Sequence, residues 1–437
     1  MYKVIFNCWA LFLGLAIIML GSGLQGSLLG VRASIESFEV SISGLIMSGY
    51  YIGFILGSII VPKVVGKVGH IRCFGALASL ASTSILIHFV FIDPIVWWSM
   101  RFITGFSFSG LFIVAESWLN DEAENDTRGR LLSFYMVIQL GGMAGGQLLL
   151  NMADPRDYHL FVLISIMISL ALIPILVTVS KAPKFEEREA VSIKYLVKIS
   201  PLGMFGILIA GFCIGSLLSV GPIYGVQIGL KIKEISLFMT SLIIGGFISQ
   251  YPLGWISDIR GRRQVIILIT LSGALISFFY SFNQFTGWQL YALFATIGAL
   301  SIPLYSLSIA YTNDYLTPSQ MVAASGGLVL VSSIGASLGP ATTSILMEVF
   351  GPDSFLKIIS IALIAVTLFA LWRATQRDAI VGDTVGEFTI IAPSPINAVL
   401  NPSIELDEIE SSTRREDGNM EDSFEQLVEE LNSKENP

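Results

Sequence analysis

The sequence predicts an all-α integral membrane protein whose twelve transmembrane helices form two parallel six-helix pseudo-repeats. Hydrophobic residues make up 53% of the 437 residues, only 13% are charged, and the mean hydropathy is +0.73. A soluble protein of this length needs more charge to cover its surface. The apolar residues are gathered into blocks of about 20, the length at which a helix crosses the ~30 Å hydrocarbon layer. Helices are expected because they satisfy every backbone amide within one segment.

Twelve apolar blocks can be recognised along the chain. They lie near residues 4–30, 41–61, 73–92, 95–119, 131–151, 159–179, 201–225, 235–255, 264–282, 288–311, 322–347 and 355–372. An even number of spans places both termini on one side of the membrane. Lys and Arg are more frequent in the loops on that side, so the positive-inside rule predicts a protein of the cytoplasmic (inner) membrane with cytoplasmic termini.

The polar segments divide the chain into four predicted regions. These are a first six-helix bundle over residues 1–180, a cytoplasmic linker over 181–200, a second six-helix bundle over 201–377 and an acidic tail over 378–437. The tail holds the acidic excess behind the net charge of −8. Its low hydrophobicity predicts that it is mostly disordered, and the sequence names no partner for it.

One stretch of the first half is repeated in the second half. Ser48–Arg72 aligns with Thr240–Arg263, and in each copy a glycine-rich apolar helix runs into a short basic turn with a glycine at its end. A second apolar run follows in both copies. Duplication of an apolar chain with basic loops at matching places is typical of a transporter built from two parallel halves.

The turn of the second copy has the pattern Gly254-x3-Asp258-x2-Gly261-Arg262-Arg263. The glycines allow close helix approach and a tight turn. Asp258, at a helix end, can meet the positive N-terminus of a neighbouring helix and the adjacent arginines. Such a charge cluster can hold the two halves in one state and break in the other. A basic anchor that only sets topology is the alternative, although topology does not require an acid among arginines.

This pattern closely resembles the loop signature of the major facilitator superfamily, which joins the second and third helices of each half. The first copy departs from the signature. Gly66 stands at the position of the acid and His70 at that of the first arginine, which leaves Lys67, Gly69 and Arg72.

Further strings resemble the YcaD-like branch of the superfamily. They are Gly69-His70-Ile71-Arg72, Ala115-Glu116-Ser117-Trp118-Leu119-Asn120 and Arg128-Gly129-Arg130. With the repeat, the resemblance covers about residues 4–373 and implies the major facilitator fold. The tail lies outside it.

The fourth apolar block carries the pattern Arg101-x3-Gly105-x4-Gly110, which resembles the fourth-helix signature of many proton-coupled members. Arg101 lies about six residues from the outer end of its helix, roughly 9 Å deep at 1.5 Å per residue. A charge at that depth is costly unless it faces a water-filled cavity or a partner. Gln25 lies at a similar depth, and we expect the two side chains to meet. Arg101 then either binds an anionic substrate group or biases a proton step, or it only braces the first helix through Gln25.

Glu116 lies within a turn of the cytoplasmic end of the fourth block. Members of the superfamily often hold an acid here that pairs with loop arginines at an inner gate. The resemblance therefore implies Arg72 or Arg130 as its partner, with Arg128 in the same loop. Few other acids lie within the spans, so a proton-carrying role for Glu116 is the alternative.

Aromatic residues and glycines of the second half complete the candidate cavity. Tyr224, Tyr305 and Tyr311 lie near prolines, where kinked helices would line the cavity, although aromatic residues at helical spacing also pack in cores. Gly339-Pro340 in the eleventh block resembles a glycine–proline element of family antiporters. Small residues commonly serve close helix packing in lipid, and we favour that role.

The sequence gives no sign of an enzyme, a metal site or a cofactor. It lacks the phosphate-binding pattern of ATP-driven pumps, and its three histidines have no partners at catalytic or metal-ligand spacing. We therefore expect a secondary active transporter that moves a small solute by alternating access within the lipid bilayer and is coupled to an ion, the proton. Arg101 fits an anionic substrate, and no nucleic acid is expected as a partner. The alternative is a non-transporting sensor or assembly protein that has a transporter-like fold and acts through its acidic tail.

Overall fold

The computed structural model describes residues 8–122, 128–177, 191–283 and 285–376. The predicted tail and the first half of the predicted linker, residues 181–190, lie outside these residues. All regular secondary structure in the described residues is helical. Twelve of the described helical segments are long and apolar enough to cross a membrane, which confirms the predicted all-α membrane fold.

The helices follow one another closely along the chain. They are α1 (Trp9–Ile35), α2 (Val40–Val68), α3 (His70–Val90), α4 (Pro94–Glu122), α5 (Arg128–Leu149), α6 (His159–Val177), α7 (Ile193–Ile199), α8 (Pro201–Gln227), α9 (Ile232–Arg260), α10 (Arg262–Tyr280), α11 (Trp288–Ser301), α12 (Pro303–Asn313), α13 (Pro318–Phe350) and α14 (Ser354–Ala374). The short α7 lies ahead of the second half. The tenth span is divided between α11 and α12 because Pro303 lacks the N–H that would continue the helix.

Two glycines end long helices at the same end of the bundle. Helices α2 and α9 run past their predicted apolar blocks and end at Gly69 and Gly261, each with a φ of +92°. This left-handed conformation favours glycine, because a Cβ would clash with the backbone. We call this end of the bundle the motif face and the other end the opposite face. The matching backbone geometry agrees with the duplication expected from the sequence.

Glycines also let two pairs of helices cross at equivalent places in the two halves. A Cβ added at any of four glycines would lie 1.8–2.0 Å from a carbonyl oxygen of the facing helix. These pairs are Gly53 with Phe102, Gly105 with Tyr50, Gly245 with Ala295, and Gly298 with Leu242. Small residues are the usual means of such close contact in lipid. The α2–α4 crossing of the first half therefore corresponds, residue for residue, to the α9–α11 crossing of the second.

The two halves meet near the opposite face. The backbone N–H of Ser41 at the start of α2 donates a hydrogen bond to Glu348 Oε2 of α13 (2.7 Å). On the other side of the bundle, Asn151 Nδ2 donates to Ser236 Oγ of α9 (2.9 Å), and Ser236 Oγ donates to the Gln147 carbonyl oxygen (2.7 Å). Each of these bonds joins the first half to the second at the opposite face.

Candidate functional site

Arg101 lies on α4 and is 5% exposed. Its guanidinium carbon lies over the ring of Tyr50 on α2, 4.7 Å from the ring centroid. The negative face of an aromatic ring attracts a cation at this distance. Arg101 Nε is buried without a hydrogen-bond partner, and no carboxylate among the described residues forms an ion pair with the side chain. The positive charge is thus only partly balanced.

Gln25 on α1 is also buried, and its Nε2 has no hydrogen-bond partner. In the part of the chain that the structure describes, no hydrogen bond joins Gln25 to Arg101. The neighbour of the guanidinium is instead Tyr50, which sequence reasoning missed. Direct pairing of Gln25 with Arg101 stays a prediction for other states of the protein.

Gly105 explains why Tyr50 lies beside Arg101. A Cβ at Gly105 would be 1.8 Å from the Tyr50 carbonyl oxygen, so the two helix backbones are in contact there. Arg101 precedes Gly105 by one helical turn and therefore shares its face. Gly110 faces another neighbour, because its Cβ would lie 2.4 Å from Leu77 Cδ1 on α3. Both glycines of the fourth-helix pattern thus lie at close packing contacts.

A hydrogen bond between two hydroxyl groups connects the surroundings of Arg101 to the second half. The rings of Tyr50 and Tyr51 lie 5.3 Å apart in an edge-to-face arrangement. Tyr51 Oη and Ser219 Oγ of α8 share a hydrogen bond of 3.3 Å. We call Tyr50, Tyr51, Arg101 and Ser219 the arginine cluster.

The second half has no charge at the position equivalent to Arg101. Because Gly298 corresponds to Gly105, the residue one turn earlier in α11, Phe294, corresponds to Arg101. Phe294 is fully buried, and its ring lies 4.5 Å from that of Phe238. The partner of Arg101, Tyr50, likewise corresponds to Leu242. The two halves therefore differ in chemistry at one place in a shared architecture.

Glu116 lies on α4 with no exposed surface. Tyr135 Oη on α5 donates to Glu116 Oε1 (2.6 Å), and Gln139 Nε2 donates to Tyr135 Oη (2.6 Å). Sequence reasoning missed both α5 residues, although their spacing of four in an apolar block places them on one helix face. The three side chains form a hydrogen-bonded chain within the first half.

Of the predicted arginine partners of Glu116, only Arg72 has its side chain among the described residues. Arg72 is exposed at the start of α3 and makes no described contact with Glu116. The side chains of Arg128 and Arg130 lie outside the described part of the chain. At the same end of the bundle, His70 occupies the position of an arginine in the motif, and its Nε2 shares a hydrogen bond of 3.1 Å with Ser117 Oγ. The Glu116 gate therefore stays a prediction.

In the second-half motif, Arg262 forms ion pairs with two acidic side chains. Arg262 Nη2 lies 3.6 Å from Asp258 Oδ1, and Arg262 Nε lies 3.0 Å from Oδ2 of Asp314 at the end of α12. Burial raises the pKa of Asp314 to about 6, with Arg262 lowering it and Asp258 raising it. Asp314 was missed because it follows a different apolar block. We call Asp258, Arg262 and Asp314 the acid–arginine cluster, and these contacts tie the α9–α10 turn to α12 within the second half.

Other residues of the motif lie in or beside this turn. Gly254 is within α9, where its carbonyl oxygen accepts a hydrogen bond from Ser257 Oγ (2.6 Å). Arg263 follows Arg262 in the first turn of α10. Gly339 lies where α13 crosses α8, and a Cβ there would be 2.4 Å from the Phe212 carbonyl oxygen. This contact agrees with a packing role for Gly339.

The three candidate tyrosines of the second half do not form one wall. Tyr305 on α12 is buried, and its hydroxyl has no hydrogen-bond partner among the described residues. The hydroxyl of Tyr311 accepts a hydrogen bond from Tyr315 Oη (3.1 Å) nearer the motif face. Tyr224 lies near the opposite face, beside Asp353 in a separate cleft. No group of three or more possible metal-ligating side chains is found in the described residues.

Comparison with known proteins agrees with this architecture. The family model of the Major Facilitator Superfamily matches residues 11–239 and 228–402. The MFS-type transporter YcaD of Salmonella arizonae is 27% identical over 363 residues, which cover 82% of this chain and 92% of the relative. YcaD of Escherichia fergusonii is 26% identical over 371 residues, which cover 84% and 95%.

Solved transporter structures share the fold. The crystal structure of the nucleoside transporter NupG has a TM-score of 0.70 at 10% identity and covers 85% of this chain and 100% of its own. A bacterial homologue of the human lysosomal transporter Spinster, in an inward-facing and occupied conformation, has a TM-score of 0.68 at 13% identity and covers 85% and 97%. The human organic anion transporter MFSD10 has a TM-score of 0.59 at 14% identity and covers 83% and 98%. At these identities the likeness concerns the fold alone.

Proposed function

The chain belongs to the Major Facilitator Superfamily, and we propose that it is a secondary active transporter that carries a small anionic solute by alternating access, coupled to protons. Its family and its twelve spans make it a membrane transport protein of the lipid bilayer. The family consists of transporters rather than enzymes. The non-transporting sensor is not favoured by these findings.

The proposal that the solute is an anion rests on the unbalanced charge of Arg101. A buried charge is costly unless it is paired and hydrogen-bonded. The Tyr50 ring supplies a cation–π contact at 4.7 Å, but no carboxylate of the described residues balances the guanidinium. A carboxylate or phosphate group on a solute would complete the pairing, and the planar guanidinium can bind either group through two parallel hydrogen bonds.

The asymmetry of the halves supports the same proposal. The position of the second half equivalent to Arg101 is Phe294, packed against Phe238. A solute held between the halves would therefore place its charged group towards the first half. The second half would contact the remainder of the solute. Charge recognition thus depends on one half alone.

Alternating access is supported by the nature of the contacts that close the opposite face. They include single hydrogen bonds, such as those of Ser41 with Glu348 and of Asn151 with Ser236. The net contribution of such a bond is about 0.5–1.5 kcal/mol. A rocking motion of the halves would break each of these bonds at a cost of that order and would also separate the packed surfaces of α2 and α13, where a Cβ at Gly44 would lie 1.9 Å from Ser344 Oγ.

By the positive-inside rule the motif face is cytoplasmic, and so are the termini.

Proton coupling is supported by Glu116. Its carboxylate is fully buried inside a span and accepts a hydrogen bond from Tyr135. Ionisable groups within spans commonly mark proton relays. Glu116 would take up and release a proton as the halves move. Pairing with Arg130 at an inner gate is the second role that we propose for the same carboxylate.

The experiment that tests the proposal combines a ligand screen with transport. Purified full-length protein is screened by thermal shift against carboxylates, phosphates, neutral metabolites and amines, and each hit is assayed for uptake into proteoliposomes with and without a pH gradient. We expect anionic hits whose uptake depends on the gradient. The proposal fails if the transported solutes are neutral or cationic, or if an anion is carried equally well without a proton gradient.

A further inference from the structure

A cleft on the second half lies apart from the arginine cluster. It opens near the opposite face, between the ends of α8 and α10 and the starts of α11 and α14. Its cavity volume is about 60 Å³, so only a small ligand fits. Its polar and aromatic walls include Tyr224, Tyr280, Asn283, Phe285, Thr286 and Asp353.

The carboxylate of Asp353 is available to a ligand. Asp353 occupies the N-cap position of α14, but its side chain makes no capping hydrogen bond. Lys357, one turn later, has the spacing of a favourable ion pair with it. The Lys357 ammonium lies instead over the ring of Phe282, 5.1 Å from the centroid. No ion pair or hydrogen bond within the described residues uses the Asp353 carboxylate.

Two of the hydrogen-bond donors near the cleft are already used. Ser281 Oγ donates to the Phe278 carbonyl oxygen (2.6 Å), and Asn283 Nδ2 donates to the Phe279 carbonyl oxygen (3.1 Å). The Asn283 amide oxygen is left as an acceptor. None of the described residues that line the cleft carries a positive charge. The Asp353 carboxylate and the Asn283 amide oxygen therefore give the cleft acceptors and a negative charge, while the hydroxyls of its tyrosine and threonine side chains can donate or accept.

Aromatic rings form another part of the wall. The rings of Tyr280 and Phe285 lie 4.5 Å apart at an angle of 53°, so that they form a corner. Tyr224 contributes a third ring from α8. Ring faces attract organic cations, and they also accept the alkyl part of such ions. Carboxylate and rings together are the groups that recognise an alkylammonium.

We propose that this cleft is a binding site for an organic ammonium ion. The N–H groups of the ligand donate to the oxygens of Asp353 and Asn283, and its alkyl part packs in the corner formed by Tyr280 and Phe285. This chemistry is the reverse of that of Arg101, so the ligand is distinct from the transported anion. Because the cleft lies between the ends of four helices, occupancy stabilises the second half.

The test uses n-butylammonium chloride as the probe and purified full-length protein in detergent. The midpoint of thermal unfolding and the calorimetric affinity are measured against sodium chloride at equal ionic strength and against neutral n-butanol. Asp353→Asn removes the charge and keeps a residue that is equally suited to the N-cap position. We expect the probe to raise the midpoint for the wild type and the affinity of Asp353→Asn to fall at least about tenfold, the loss of one charge-assisted contact.

Two further variants keep the result interpretable. Asp157→Asn removes an exposed acid at the same face of the first half and should bind the probe as the wild type does. Tyr280→Leu removes one ring of the corner, leaves Asp353 in place, and should also weaken binding. Equal affinity of the wild type and Asp353→Asn, equal stabilisation by n-butanol, or no binding of the probe by the wild type would each overturn the proposal.

Discussion

Replacement of Gly105 by alanine should separate Tyr50 from Arg101 within the arginine cluster. The added Cβ would lie 1.8 Å from the Tyr50 carbonyl oxygen, whereas real Cβ contacts are essentially never under 3.0 Å. Helices α2 and α4 must therefore separate by more than about 1 Å. The obstacle is backbone, which cannot rotate away as a side chain could. Overpacking of this kind costs about 1–3 kcal/mol, and the separation also draws the Tyr50 ring away from Arg101.

The assay compares three variants for membrane insertion, thermal unfolding and solute uptake. Gly75→Ala is the matched control, because a Cβ there has open space within 4 Å. Gly298→Ala produces the equivalent clash in the second half, at 1.9 Å from the Leu242 carbonyl oxygen, but away from any arginine. We expect both clashing variants to unfold at lower temperature, and only Gly105→Ala to lose solute affinity. Wild-type stability and affinity for Gly105→Ala would refute the packing argument.

The remaining predictions concern the charged groups near the motif face. Asp258→Asn should leave the protein inserted but shift its access state, because the carboxylate beside Arg262 is neutralised; unchanged cysteine labelling on both faces would reduce Asp258 to a topology residue. Burial raises the pKa of Asp314 in the folded protein to about 6, above the value of the unfolded chain. As the pH falls, the folded state therefore takes up this proton at a higher pH than the unfolded state does, and the free energy of unfolding rises. The unfolding temperature of the wild type should therefore rise from pH 7 to pH 5 relative to Asp314→Asn, even though the charge pairing with Arg262 weakens; parallel pH curves would contradict this. Tyr135→Phe should lower thermal stability by about 1–3 kcal/mol, since it removes two buried hydrogen bonds, from Tyr135 Oη to Glu116 Oε1 and from Gln139 Nε2 to Tyr135 Oη, and an unchanged unfolding temperature would show that these bonds contribute nothing.

Local patterns in the sequence were sufficient to predict the fold. Blocks of about 20 apolar residues define spans wherever they occur, and glycine at the end of a basic turn ends a helix through a conformation that few other residues adopt. Gly69 and Gly261 therefore mark equivalent helix ends, and both have a φ of +92°. Helix α2 extends further than its apolar block and continues through Pro62 to Val68, although a proline inside a helix removes one backbone hydrogen bond.

Contacts between distant segments could not be derived in the same way. Arg101 was identified because a charge within an apolar block is unusual, but its neighbour Tyr50 belongs to another helix. Asp314 likewise reaches Arg262 from a different helix. Which residues meet depends on helix rotation and crossing, and these follow from packing. The glycines Gly105 and Gly298 were the available signal, because small residues at matching positions mark the crossings.

The most direct test of the central claim is the transport of an identified anion by variants of Arg101. Arg101→Ala should insert and fold, since loss of a charge makes α4 more apolar, but should transport at background level. Arg101→Lys should be poorly active despite its charge, because an ammonium cannot make the planar, forked contacts of a guanidinium. Gln25→Ala should weaken transport less, and the double variant should be no worse than Arg101→Ala if the two residues act as one unit. If folded Arg101→Ala carries the anion at the wild-type rate, the assignment of Arg101 to substrate binding is wrong.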